Sequence, residues 1–463
     1  MQLFINDTAS ISGSVTSLPA YTRRESPPPR FPTQHVFQLS HNLSDKRNSK
    51  PWITLYLISN SRDPKSLPTY VEGDKITGSV ELDLEEAGDN IQSVKVIVRG
   101  DLTNGYDAQE RTTFLELTQT LWCKSTEDSG RTSGRLLGHN RWAFSVSLPK
   151  TVTIPGSPVD DRRQFPLPPT VVERYTRASV RYDLIVHVVR SKFRYNSSLS
   201  TTFVYIPATR PAPPSPLRQL AYQDSSPIIG PETDPEGWNT LPPVKIQGSL
   251  FNARNIEVVC HLSLAKPLCY TRGSVIPLSL LLSSADSQAL DLFSVRPAID
   301  VRLRRQVHCR HELVRAEINR PIGMLGFTKK TKNQSSEDSA LAVWWLSPEG
   351  CREAGDGLVS RRMHGELSLP TSLKPSCEIS HFRICYTVAL FPFDTPGFQV
   401  SSLDQTNINL EPLLEQQVNI ATVLPRGPRP ISYAPPDAAG CRRGKPVRPS
   451  SACRPSSAHV RRP

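Results

Sequence analysis

Apolar and polar residues alternate with a period of two in many short stretches of this chain, and no long stretch has a helical period. The clearest case is residues 180–189, where Val180, Tyr182 and Leu184 begin a run of apolar side chains at every second position. A strand places these side chains on one face and charged ones such as Arg181 on the other. The pattern predicts a half-buried antiparallel strand.

Similar stretches recur along the chain, and Gly and Pro separate them. Because short strands with such separators and few helical signals are typical of sandwich folds, the sequence predicts an all-β protein built from β-sandwiches. The predicted strands lie in two groups, within residues 52–57, 70–84, 94–100, 113–117, 142–148, 180–190 and 201–206, and within residues 244–246, 256–260, 269–280, 298–304, 366–369 and 382–390.

Composition divides the chain into five parts. Its 463 residues suffice for two domains with tails, and 43 prolines with 37% hydrophobic residues indicate extensive loops. We predict a disordered N-terminal segment (1–50), a first sandwich (51–207), a Pro-rich linker (208–243), a second sandwich (244–424) with an insertion near 328–357, and a disordered, basic Pro/Arg-rich tail (425–463).

Two motifs in the first half suggest a family. One is the order Leu167-Pro168-Pro169-Thr170, Glu173-Arg174-Tyr175 and Val180-Arg181-Tyr182, and the other is the turn and strand from Gly73 to Val80. Together they resemble the N-terminal domain of arrestin-like proteins, in particular the fungal arrestin-related trafficking adaptors. Residues 273–277, Gly-Ser-Val-Ile-Pro, give the second half a looser resemblance to the C-terminal arrestin-like domain.

The resemblance implies two consecutive arrestin-like β-sandwich domains and an adaptor function. Such an adaptor would bind the cytoplasmic tails of membrane-protein cargo and link them to endocytic, ubiquitin-dependent trafficking. The alternative is an arrestin-fold scaffold in a retromer-like or signalling complex, without contact to a ubiquitin ligase. We expect the protein to be cytoplasmic, because the N-terminus lacks a signal-peptide pattern and no apolar run approaches the ~20 residues of a membrane span. The resemblance also implies that the protein is recruited to the plasma membrane or to endosomes.

The net charge of +12 is concentrated in the tail. From Pro425 to Pro463, nine Lys or Arg residues stand against Asp437 alone, a net charge of +8. A solvated tail is favoured over a nucleic-acid contact, so no nucleic-acid partner is expected. An anionic membrane surface is the expected partner of such a segment.

The resemblance assigns candidate cargo-binding residues. A basic surface on the N-terminal arrestin-like domain helps to bind acidic or phosphorylated tails, and guanidinium and ammonium groups suit that chemistry. The simpler interpretation is a solubilising hairpin tip. The candidates are Arg181, Arg190, Lys192 and Arg194.

A second candidate site concerns ubiquitin ligases of the HECT type, which bind Pro-rich tyrosine motifs through WW domains. Leu67-Pro68-Thr69-Tyr70 resembles a Leu-Pro-x-Tyr variant of that motif, whereas Pro430-Ile431-Ser432-Tyr433 lacks its second proline. A WW domain needs an accessible polyproline II segment. Because Tyr70 stands at the start of a predicted strand, a structural role is favoured, and ligase recruitment is expected to be direct or through a partner.

Neither catalysis nor a metal or other cofactor is predicted. His311-Glu312 begins a zinc-protease motif, but Arg315 stands where its second His should be. His308, Cys309 and His311 have no second ligand pair at zinc-finger spacing, and His381 and Cys385 would lie ~13 Å apart on one strand.

Overall fold

A computed structural model describes most of the two predicted domains and the segment between them. The described residues are 35–42, 51–61, 65–84, 91–103, 111–124, 136–154, 164–173, 178–191, 194–309, 334–353, 358–401 and 411–436.

The first half consists of strands, as the alternation predicts. They are β1 (His35–Asn42), β2 (Pro51–Ser59), β3 (Thr69–Val71), β4 (Lys75–Asp83), β5 (Ile91–Thr103), β6 (Arg111–Cys123), β7 (His139–Ser147), β8 (Thr151–Thr153), β9 (Gln164–Pro166), β10 (Val171–Val172), β11 (Ser179–Arg190) and β12 (Ser197–Ile206).

The second half is again mainly strands, with short helical pieces before and within it. The elements are α1 (Pro216–Asp224), the 3-10 turn Pro235–Gly237, β13 (Trp238–Thr240), β14 (Val244–Leu250), β15 (Arg254–Ala265), β16 (Cys269–Thr271), β17 (Val275–Ser284), α2 (Ser287–Phe293), the 3-10 turn Arg296–Ala298, β18 (Val301–Cys309), β19 (Gln334–Leu341), β20 (Val343–Glu353), β21 (Val359–Ser368), β22 (Cys377–Ile379), β23 (Phe382–Leu390), β24 (Phe398–Val400) and β25 (Leu414–Ala421).

The two halves repeat one sheet order. In the first half, one large sheet has the order β3-β12-β11-β5-β6, a second has the order β1-β2-β4-β7, and β8 pairs with β9 in a small third sheet. In the second half, the sheet β16-β25-β23-β18-β19 corresponds to the first of these. The second sheet, read as β24-β14-β15-β17-β21-β20, contains the four-strand order β14-β15-β17-β21 that corresponds to β1-β2-β4-β7. In each half a three-residue strand pairs in parallel with the last strand of that half, β3 with β12 and β16 with β25. The chain is therefore an all-β protein with two similarly arranged β-sandwich halves.

Individual hydrogen bonds repeat as well. Tyr182 on β11 donates its hydroxyl to the carbonyl of Pro168 (2.6 Å), and Tyr386 on β23 donates to the carbonyl of Lys374 (2.7 Å). Each bond ties a core strand to the segment that precedes a short partner strand, β10 or β22. A buried phenol needs such an acceptor, so the repeat extends from topology to side-chain chemistry.

The alternating residues form the core. Val180, Tyr182, Leu184, Val186 and Val188 on β11 are all fully buried. Tyr182 packs edge-on against Phe114 and beside Phe203 and Tyr205, with ring centroids 5.5–5.6 Å apart. The prediction of a half-buried strand here is confirmed.

The predicted N-terminal segment extends too far. Strand β1 lies within residues 1–50 and pairs antiparallel with β2 over its whole length. Phe37 and Leu39 on β1 pack against the core, and the strand covers what would otherwise be an open edge of the sheet. Residues 1–34 and 43–50 lie outside the described residues.

The predicted Pro-rich linker at 208–243 contains regular structure, including helix α1 and strand β13. Ser215 caps α1 by accepting a bond from the backbone N–H of Arg218, and Pro216 occupies the first turn. The buried Arg218 donates to the carbonyls of Lys266 (2.7 Å) and Gly237 (2.6 Å) and lies 4.8 Å from the Trp238 ring centroid. These contacts attach the stretch to the second half.

Within the insertion predicted near 328–357, the described residues 334–353 form two strands of the sheets. Strand β19 pairs with β18, and β20 pairs with β21. Trp344 on β20 is 1% exposed, so it is a core residue. Residues 310–333 and 354–357 lie outside the described residues.

The first part of the predicted disordered tail is likewise attached. Residues 425–436 are described, and Tyr433 stacks on Tyr222 of α1 with ring centroids 6.4 Å apart. The remaining tail, residues 437–463, lies outside the described residues. None of the described helices has the length and apolar character needed to cross a bilayer.

Candidate functional site

A buried ion pair joins the two halves. Both guanidinium Nη atoms of Arg305 donate to the carboxylate of Glu173; the Nη1–Oε2 distance is 3.1 Å, and Nη2 bonds to Oε1. The side chains are only 12% and 9% exposed. Such a bidentate contact is directional, and its charge-assisted hydrogen bonds are shielded from competing water.

The local fold explains how each partner reaches the boundary. Glu173 follows β10, and its N–H donates to the carbonyl of Ala178 (2.8 Å), which stands directly before β11. Arg305 lies in the middle of β18, at the same alternation as the buried Leu303 and Val307. A charged residue at an apolar position must be paired. This break in the alternation was the sequence signal for Arg305, but nothing in the sequence indicated Glu173 as its partner.

Burial shapes the chemistry around the pair. Burial by itself would lower the pKa of Arg305, but the hydrogen bond and the charge of Glu173 raise it above its ordinary value. Burial raises the pKa of Tyr386 to about 12, against the lowering effect of the Arg305 charge. Burial likewise raises the pKa of the Cys377 thiol to about 12. Arg305 is therefore charged, while Tyr386 and Cys377 are neutral at physiological pH.

A cleft lies beside the ion pair, at the boundary of the halves. It encloses about 250 Å³ and is lined by Pro168 and Pro207 of the first half and by Cys377, Arg383 and Asn419 of the second. Strand β22 lies against β9 across this boundary. The cleft therefore combines proline-rich backbone with two charged side chains, Glu378 and Arg383.

The linking chain adds a second polar contact between the halves. The N–H of Ala208 donates to Glu72 Oε2 (2.9 Å), and the N–H of Val423 donates to the carbonyl of Thr209 (2.9 Å). The Thr422 hydroxyl donates to the carbonyl of Pro207 (2.6 Å). The end of β12 and the residues after β25 are thus fastened together.

The four candidate cargo-binding residues do not form one patch. Arg190 and Arg194 lie at one end of β11, whereas the exposed Arg181 lies nine positions back, about 30 Å away at ~3.3 Å per residue. The guanidinium of Arg190 lies 4.8 Å from the centre of the Trp52 ring, a cation–π contact. Arg194 is exposed, and Lys192 lies outside the described residues.

The hairpin tip also carries an aromatic residue that the sequence analysis did not single out. Tyr195 is 97% exposed, directly after Arg194. Its position in a turn between two strands was the available signal. An exposed Arg beside an exposed aromatic ring suits recognition of an extended acidic peptide.

The candidate WW ligand is largely inaccessible. Tyr70 is 2% exposed, and its ring meets Phe203 edge-on with centroids 5.5 Å apart. Its hydroxyl is buried without a hydrogen-bond partner among the described residues, and burial raises its pKa well above the ordinary value. Pro68 is buried too, whereas Leu67 is 49% exposed. Only the first residue of the motif could meet a WW domain.

Tyr70→Ala is therefore expected to destabilise the protein by roughly 2–4 kcal/mol, the usual cost of truncating a buried aromatic side chain. Thermal and urea unfolding of wild type and variant measure this loss, and a pull-down with isolated WW domains runs beside them. Leu67→Ala serves as the exposed control and should unfold like wild type. A Tyr70→Ala protein of unchanged stability that has lost WW binding would contradict the structural role.

The cysteines and histidines considered for metal binding lie partly within the described residues, namely His308, Cys309, His381 and Cys385. Among the residues that the structure describes, no group of three His, Cys, Asp or Glu side chains could hold a metal ion. Cys385 Sγ instead lies 3.7 Å from the carbonyl oxygen of Gln306 on the neighbouring strand. His311 lies outside the described residues.

Neither a protein-family model nor a curated protein sequence matches this chain. Its class therefore rests on its own geometry. It is an all-β protein whose two halves share a sheet order and meet at a buried ion pair.

Proposed function

We propose that the chain is an arrestin-like adaptor whose two sandwich domains bind the cytoplasmic tails of membrane proteins and connect them to endocytic trafficking. The observation that carries the proposal is the repetition of one sheet order in two halves that share a buried polar contact. The two sequence motifs that resemble arrestin-like domains fall within this repeat: Gly73 forms the turn from β3 to β4, and Pro168 and Tyr182 join by a hydrogen bond.

Cargo recognition is assigned to the hairpin tip rather than to all four basic candidates. Arg194 and Tyr195 are exposed there, and Arg190 is held by Trp52 behind them. Acidic or phosphorylated peptides are the favoured ligands, because guanidinium groups make charge-assisted bonds to carboxylate and phosphate. Lys192 belongs to the same turn in sequence.

A fluorescent peptide with several phosphoserines tests this assignment by anisotropy, beside its unphosphorylated counterpart. Arg194→Glu should weaken binding of the phosphopeptide by roughly tenfold or more, as expected for a lost charge-assisted hydrogen bond. Arg181→Glu makes the same charge change at the far end of β11 and should leave the affinity nearly unchanged. Equal weakening by both variants, or no preference for the phosphopeptide, would contradict the hairpin as the cargo site.

Direct recruitment of a HECT-type ligase through Leu67–Tyr70 is not part of the proposal, because Pro68 and Tyr70 are buried. That burial favours recruitment through a partner, or the alternative function of a scaffold without ligase contact. The described residues offer no polyproline motif with an accessible tyrosine in its place, since Tyr433 also stacks on a neighbour. Contact of the basic tail with an anionic membrane remains a prediction about residues beyond 436.

A further inference from the structure

A short segment after the last strand, β25, is hydrogen-bonded to residues of α1 and β21. We call residues 430–436 the strap. Its Ser432 hydroxyl donates to Glu366 Oε2 (2.7 Å), and the backbone N–H of Tyr433 donates to Glu366 Oε1 (2.6 Å). The Tyr433 hydroxyl donates to the carbonyl of Ala221 on α1 (3.0 Å). Two neighbouring strap residues thus share one carboxylate.

That carboxylate is buried. Glu366 lies on β21, between Pro277 of β17 and Val343 of β20, and is 4% exposed. A buried carboxylate requires hydrogen-bond donors, and the strap supplies two of them. The strap also borders a cleft of about 230 Å³ lined by Trp238, Trp345 and His364. The Ser432 hydroxyl thus supplies one of the two strap hydrogen bonds to Glu366, and Tyr433 supplies the other through its backbone N–H.

Ser432 itself is exposed, and its sequence context is basic. Arg429 and Arg426, both exposed, stand three and six residues before it. Arginine at these positions fits the acidic substrate grooves of protein kinases that select basic residues before the acceptor serine. Residues 430–435 belong to no helix or strand, and such a short stretch can peel away and enter an enzyme.

We infer that Ser432 is a phosphorylation site for an arginine-selecting protein kinase, and that its modification releases the strap. The kinase transfers the γ-phosphoryl group of Mg²⁺-bound ATP: a bond forms between Ser432 Oγ and the γ-phosphorus, the bond to the β-phosphate oxygen breaks, ADP leaves and the hydroxyl proton passes to the kinase base. The product ester can no longer donate a hydrogen bond to Glu366. Its two negative charges instead oppose the carboxylate.

Release follows from these two changes. The strap exchanges between a docked form and a peeled form, and only the docked form places the phosphate beside the buried carboxylate. Repulsion within a poorly solvated contact shifts this equilibrium towards the peeled form. Peeling also uncovers the cleft beside Trp238 and Trp345, so phosphorylation would change the surface of the second half.

Full-length protein incubated with an arginine-selecting kinase and Mg²⁺-ATP provides the test. Peptide mapping by mass spectrometry should locate phosphate on Ser432, and Arg429→Gln should slow its incorporation. In the docked form the Tyr433 N–H donates a hydrogen bond to Glu366. Hydrogen exchange at this amide should become about tenfold faster or more after phosphorylation. Ser432→Ala should incorporate no phosphate at this position, and its Tyr433 amide should exchange no faster after treatment.

The Glu366→Gln variant distinguishes charge repulsion between the phosphate and Glu366 from the loss of the Ser432 hydroxyl as a hydrogen-bond donor. Without the carboxylate charge, the difference in exchange between phosphorylated and unphosphorylated protein should shrink. Circular dichroism first checks that this buried variant folds, and Ser432→Asp gives a second readout without altering the core. Two results would overturn the inference. In the first, the kinase phosphorylates an isolated peptide of residues 424–436 but not Ser432 in the full chain. In the second, the Tyr433 amide stays fully protected from exchange in the phosphorylated chain.

Discussion

Glu173→Gln is expected to destabilise the protein by about 3–5 kcal/mol, because removing one partner leaves the other charge buried without compensation. Arg305 lies in the middle of β18, and its side chain is only 12% exposed. Its Nε–H already lacks a hydrogen-bond partner among the described residues. Urea unfolding followed by circular dichroism measures the loss.

Two controls sharpen this prediction. Glu116→Gln removes one partner of the exposed pair that Glu116 forms with Arg99, and should cost less than about 1 kcal/mol. The double variant Glu173→Gln, Arg305→Met removes the unpaired charge and should recover much of the stability lost by Glu173→Gln. If Glu173→Gln unfolds like Glu116→Gln, or if Arg305→Met gives no recovery, the ion pair does not hold the halves together.

Trp344→Ala is expected to cost about 3–5 kcal/mol, as for other buried tryptophans truncated to alanine. Gly365 stands directly opposite on β21, and a Cβ there would lie 2.5 Å from Cε3 of Trp344. The indole therefore fills the space that the missing side chain leaves. Circular dichroism in urea is again the measurement, since the substitution removes a fluorophore.

The neighbouring tryptophan supplies the matched control. Trp345 points to the other face of β20, is half-buried and lies beside His364 with ring centroids 6.4 Å apart. Trp345→Ala should therefore cost clearly less than Trp344→Ala. Equal, small losses would contradict a core role for β20.

Strands with strict alternation were predictable from the sequence because burial on one face imposes a period of two. Residues 180–189 show this directly. Strand β1 was missed because it is surrounded by Ser-, Pro- and Asn-rich sequence, although Phe37 and Leu39 alternate. Helix α1 was missed for a related reason: its Ser215 cap and Pro216 follow the expected rules, but they lie in a stretch whose prolines favoured an open linker.

The candidate site was less predictable than the fold, because its contacts join distant parts of the chain. Glu173 and Arg305 are 132 positions apart, and Glu366 and Tyr433 are 67 apart. No local periodicity encodes such pairs. The basic hairpin was predictable from its charge pattern. The sequence did not indicate that Arg190 stacks on Trp52 while Arg194 stays exposed, because Trp52 belongs to another sheet.

The parallel pairing of β3 with β12 has a consequence for synthesis on the ribosome. Tyr70 pairs with Tyr205, so the first sandwich cannot close until Ile206, the last residue of β12, has left the exit tunnel. Until then β3 has no partner strand, and the neighbouring edge of β11 is exposed to other nascent chains. Such long sequence separations slow folding. The nascent first half is therefore a stage at which a chaperone would raise the yield of native protein.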